Sequence, residues 1–141
     1  MWPIKFEDRL LQWSKLRTEA NELSLESSLA KINLWWQQTP WTPYHLHWDD
    51  QETWPNPWEL LSDNIFCDLA RSLGIMYTIM MIDRPDIFKA ELALCDETNL
   101  VLINEGKYIL NWSPEELLNI STASIKIKKT LDSEQLRHFI G

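Results

Sequence analysis

Three observations predict an α+β fold. Apolar residues recur at helical spacing through the first third of the chain, prolines punctuate the next twenty residues, and short strand-like runs separated by turn signals fill the second half. Helices lead and strands follow, so the sheet expected is antiparallel, with four or five strands and a central helix packed on it. At 141 residues and 45% hydrophobic, the chain has the size and apolar content of one domain with one core. The boundaries expected are a helical hairpin over 1–38, a Trp/Pro-rich ordered loop over 39–57, and a helix-plus-sheet core over 58–141.

Phe6, Leu10, Leu11, Trp13, Leu16 and Leu23 make residues 4–22 an amphipathic helix. Ser24 is a plausible N-cap for a second helix carrying Leu25, Leu29, Ile32 and Trp36 on one side. The segment "TPWTPYHLHWDDQETWPNP", 39–57, is too rich in proline for a helix and too irregular for a strand, and reads as a loop anchored by its tryptophans. Asn56, Pro57 and Glu59 supply an N-cap, an N1 proline and an N3 acid. The helix they open carries Trp58, Leu61, Ile65, Leu69 and Leu73 and is expected to end at Gly74. Two readings of its middle stay open. A break at "SDN", 62–64, would let Asn64 cap a fresh helix with Cys67 at N3; a continuous helix would leave Cys67 opposite the apolar face. "IMYTIMM", 75–81, reads as a buried strand, with "IFKAELAL", 87–94, as its partner across the "DRPD" turn. "NLVLI", "NEG" and "KYILN" form the clearest hairpin, Gly106 supplying the positive φ. "SPEELL", 113–118, reads as a short helix, "ASIKIKK", 123–129, as an edge strand with outward lysines, and "DSEQLRHFI" as a closing helical turn.

Composition excludes several functions. With 13 Lys plus Arg against 21 Asp plus Glu, a formal charge of −8 lacks the basic footprint of a nucleic-acid binder and equally disfavours an anionic membrane surface. No run approaches the length of a membrane span, and the N-terminus is unlike a signal peptide. Cys67 and Cys95 make no disulfide framework and suit a reducing cytoplasm. The three glycines, Gly74, Gly106 and Gly141, stand alone, so no phosphate-cradling loop exists, and no Gly-x-Ser-x-Gly turn presents a serine nucleophile.

The residues that can carry chemistry are few. A nucleophilic Cys67 needs a base, and the chain has three histidines, His45, His47 and His138. His45 and His47 share one side of an extended segment, and with Asp49 or Asp50 they could ligate a metal; loop residues capping backbone groups explain that spacing equally, and no metal or other cofactor is expected. Adjacent carboxylates such as Glu115 and Glu116 point apart and solvate a face. The tryptophan belt is the most unusual feature: six of nine tryptophans lie between residues 35 and 58. Indoles lock irregular segments onto a core, but they are also enriched at interfaces, and nine are many to hide in so small a chain. The interface candidates are Trp41, Tyr44, Trp48, Trp54, Trp58 and Trp112.

"CDLARSLGI", followed by the hairpin "NLVLINEGKYILN", resembles the core of transglutaminase-like cysteine proteins. The resemblance implies a cysteine opening a helix, with a histidine and then an aspartate presented by the hairpin strands. Here those two positions hold Asn99 and Asn111, and an asparagine takes no proton from a thiol near neutral pH. The run from "INLWWQQTPWTPYHLHW" to "NLVLINEGKYILNWSPEELLN" is also similar to small proteins encoded by contractile-tailed phages, notably of cyanobacteria. That similarity implies a virion component of tail, baseplate or neck, made in the host cytoplasm, present in several copies and held by other phage structural proteins. The function expected is therefore non-enzymatic: a structural or interaction protein with no catalytic residues, docking through its aromatic surface. The alternative is a transglutaminase-like or papain-like cysteine amidase or peptidase, with Cys67 as nucleophile and His47 as base, acting on peptide or peptidoglycan amides. A carbohydrate-binding module using the tryptophans is a third reading.

Overall fold

Two helices open the chain and pack on each other: α1 (Phe6–Glu22) and α2 (Leu25–Gln37). A computed structural model describes residues 2–43, 45–95, 98–112 and 126–140. Ser24 caps α2, its hydroxyl accepting from the Ser27 amide. Trp13, Leu16 and Ala20 of α1 and Leu29, Ile32 and Trp36 of α2 turn inward and are buried. The proline-rich segment follows as a loop with a 3₁₀ turn at Trp48–Thr53.

The capping box expected at Asn56 forms: the Asn56 side chain accepts from the Glu59 amide, and the Glu59 carboxylate accepts from the Asn56 amide. The helix it opens, α3 (Pro57–Asp63), is short. It ends because Asn64 turns left-handed, at φ 56° and ψ 38°, a conformation that asparagine tolerates better than most residues. The break at 62–64 is thus real. The new helix, α4 (Asp68–Met81), starts further on, with Cys67 at its N-cap rather than at N3.

α4 corrects the largest misreading. "IMYTIMM" is not a strand but the second half of this 14-residue helix, which is buried almost all round, from Leu69 through Ile79. A fully buried helix shows no polar stripe, and a short apolar run then looks alike in either period. Gly74 does not terminate it. A Cβ there would lie 2.4 Å from the Trp36 ring, so glycine is what lets α2 cross α4 closely.

The sheet is antiparallel and four-stranded: β1 (Ala90–Cys95), β2 (Asn99–Ile103), β3 (Tyr108–Leu110) and β4 (Ile127–Asp132), in the order β3-β2-β1-β4. Residues 87–94 therefore contribute a strand, but it pairs with β2 and β4 and not with the segment before it. The β2–β3 hairpin is as expected, although Asn104 and Glu105 join Gly106 at positive φ. The lysine-bearing strand β4 does lie at an edge, while 123–125 and the expected helix at 113–118 lie outside the described residues. The chain closes with α5 (Ser133–Leu136) and a 3₁₀ turn, Arg137–Phe139. α4 packs against β1 and β2, and α2 against α4 and β3, so one core is shared by the helices and one sheet face. Among the described residues no helix is long and apolar enough to cross a membrane.

Candidate functional site

The sharp turn between α3 and α4 places Phe66 and Cys67 in extended backbone. There Phe66 bridges in parallel to Trp41, and the Thr42 amide donates to the Phe66 carbonyl at 2.7 Å. That pairing ties the start of the proline-rich loop to the start of α4. A cleft of about 210 Å³ opens at the junction, lined by Trp41, Pro43, Leu46, Cys67, Asp68, Leu69 and Asn99. Cys67 is only 3% exposed, and its Sγ accepts from the Leu46 amide at 3.4 Å.

Beside the thiol, both hairpin asparagines converge on Asp68, the first residue of α4. The Asn99 amide and its Nδ2 donate to Asp68 Oδ2 at 2.5 and 3.0 Å. Asn111, held left-handed at φ 68°, donates through Nδ2 to Asp68 Oδ1 at 3.2 Å and to the Asn99 carbonyl at 2.7 Å. The acceptor ends of the two amides are occupied as well: Trp48 Nε1 donates to Asn99 Oδ1, and Gln37 Nε2 to Asn111 Oδ1. Asn33 Oδ1 receives the Asn111 backbone amide.

Asp68 is the residue that sequence reasoning missed. Its signal was an acid in the first turn of a helix, which ordinarily only complements the helix dipole. Burial pushes its carboxyl above the usual range, and the hydrogen bonds from Asn99 and Asn111 and the charge of Arg71 oppose that shift. One turn on, Arg71 donates to the Thr39 hydroxyl and carbonyl at 2.7 Å each and lies under the Trp41 ring, 4.9 Å from its centroid. Burial lowers the Arg71 pKa, with Asp68 and Cys67 opposing.

No imidazole lines this cleft among the described residues. His47 follows the Leu46 amide that touches Sγ, but it is exposed, and its carbonyl accepts from Trp54 Nε1 at 2.8 Å. His45 is also exposed, and His138 lies against Phe139 in the C-terminal turn. Among the described residues no group of three or more His, Cys, Asp or Glu is placed to hold a metal ion. The interface candidates divide. Trp54 is buried and Trp48 half-buried against it, whereas Trp41 is 54%, Trp58 40% and Trp112 49% exposed. Tyr44 lies outside the described residues.

The described residues form an α+β fold in which a cysteine heads a buried helix packed on a four-stranded antiparallel sheet. Solved structures share it. LapG of Legionella pneumophila superposes with a TM-score of 0.75 at 13% identity, over 91% of this chain and 76% of that one. EGTA-treated LapG gives 0.72 at 13%, covering 93% and 84%, and calcium-bound LapG gives 0.67 at 14%, covering 87% and 74%. No family model and no curated protein matches the chain. At these identities the likeness establishes the fold.

Proposed function

We propose that this chain is a transglutaminase-like module that binds other proteins without hydrolysing them. The observation that carries the reading is the occupied network around Asp68. A cysteine hydrolase needs a group that accepts the thiol proton and returns it to the leaving group. Here the two hairpin positions are amides with both ends hydrogen-bonded, and the one carboxylate already accepts three N–H groups. The polar groups that would make chemistry instead brace the head of α4 against the sheet. Exposed Trp41 beside the apolar cleft suits a protein contact. Within this proposal the partners are neighbouring virion proteins in several copies; support for that part is the resemblance of the Trp/Pro block to small phage proteins.

A second reading has a specific observation behind it. The Leu46 amide points at the thiol, as a donor that stabilises a thiolate would, and His47 is the next residue. With the transglutaminase-like fold, this favours a cysteine hydrolase of peptide or peptidoglycan amides with Cys67 as nucleophile and His47 as base. Iodoacetamide labelling at pH 6, read by mass spectrometry, separates the two. On the first reading Cys67 reacts no faster than the buried Cys95. Rapid labelling of Cys67 that disappears in His47→Ala would establish the second.

A further inference from the structure

We propose that the flank of α1 and α3 around Arg17 and Trp58 is a docking surface for an acidic segment of another protein. The Arg17 guanidinium takes a carboxylate, and Trp58 takes an adjoining apolar side chain. The surface is built on Trp13, which is fully buried and turns its Nε1 inward to the Thr78 hydroxyl at 2.9 Å. Arg17, one turn further along α1, stacks on that ring with its guanidinium carbon 4.2 Å from the centroid. Trp58 meets the same ring edge-on, 6.3 Å between centroids, and stays 40% exposed. Leu10, seven residues before Arg17 and on the same side of α1, is half-buried.

The other four arginines of the chain are committed. Arg9 donates to the carbonyls of Pro3, Ile4 and Leu61, Arg71 to Thr39, Arg84 to Asp86, and Arg137 to Glu134. Arg17 makes no hydrogen bond or ion pair with a described residue, and its Nε is shut away from solvent without an acceptor. Burial lowers its pKa, and no carboxylate opposes the shift. A half-buried cation with no ion-pair partner among the described residues is an unusual arrangement in so acidic a chain. Stacking holds the guanidinium plane in place before a partner arrives, which removes part of the ordering cost of a two-pronged carboxylate contact. Arginine beside tryptophan is also the composition enriched at the energetic centres of interfaces.

The test is a titration of the ¹⁵N-labelled full chain with a capped Leu-Glu-Leu-Glu peptide, following the Arg17 Nε–H and Trp58 Nε1–H signals. Saturable shifts at both, with affinity about tenfold weaker in Arg17→Gln and for the Leu-Gln-Leu-Gln peptide, are the expected result. Arg17→Lys keeps the charge and the cover over Trp13 but loses the fork, so weakened binding is expected there even where the glutamine variant does not fold. Equal shifts with the glutamine peptide, undiminished affinity in Arg17→Lys, or no shift at millimolar peptide would overturn the proposal. Concentration-dependent shifts without any peptide would overturn it too, by identifying a second copy of this chain as the occupant.

Discussion

Thr78 does at one atom what no pattern in the sequence announces. Its hydroxyl oxygen accepts from Trp13 Nε1 and from Trp36 Nε1, both at 2.9 Å, and its proton goes back to the Gly74 carbonyl at 2.7 Å. Two buried indoles from α1 and α2 are thereby satisfied by a single residue of α4. Thr78→Val keeps the shape and removes the acceptor, stranding two donors, each at a cost of about 1–3 kcal/mol. A loss of stability in urea well beyond that of an ordinary buried Thr→Val change is the expected outcome. Near-wild-type stability would mean that the indoles find other acceptors. From the sequence, Thr78 was one more β-branched residue in an apolar run.

At the scale of elements, the crossing of α2 and α4 depends on Gly74. Trp36 fills the space that a Cβ would need, and an indole in a packed core has little room to retreat. Gly74→Ala gains helix propensity but forces the ring aside, so a net destabilisation of about 1–3 kcal/mol is expected from thermal unfolding. A stabilised variant would show that the crossing is loose. The same glycine explains why α4 was misread. "LARSL" carries the helical signals and "IMYTIMM" is a mostly apolar run with no charged residue, so the glycine between them looks like punctuation. The helices α1 and α2, the capping box at Asn56 and the β2–β3 hairpin were legible because each is specified by local chemistry: periodicity, an N-cap, a turn. The pairing of β1 with β4 was not, because 31 residues separate Cys95 from Ile127 and strand partners far apart in the chain leave no local mark.

For the whole molecule, the Asp68 network is where helix, hairpin and loop are held together, and it makes stability depend on pH with a definite sign. Burial raises the Asp68 pKa in the folded state above its unfolded value, so the folded protein binds this proton more tightly. Its contribution is then fully present below the ordinary carboxylate range and is lost as pH rises through the raised folded-state value. The stability difference between wild type and the non-titrating Asp68→Asn, from urea unfolding across that window, should shrink with increasing pH. A difference that grows instead would show that the hydrogen bonds from Asn99 and Asn111 outweigh burial. Asp86, exposed and paired with Arg84, is shifted the other way and provides an internal contrast.

By itself the sequence determined the α+β class, the helical hairpin, the capped start of α3 and an antiparallel sheet of four or five strands, and one motif's resemblance set Asn99 and Asn111 near Cys67 as an expectation. All of these rest on short-range periodicity, cap and turn chemistry, or the residue-by-residue resemblance of one motif. Only the tertiary structure decided that the two asparagines close on Asp68 with their own acceptors occupied, that Trp54 is buried while Trp41, Trp58 and Trp112 are not, and that Arg17 has no counter-charge among the described residues. The reason is physical: which donor meets which acceptor, and which face of an indole meets water, are set by contacts between segments tens of residues apart, and such contacts exist only once the chain has packed.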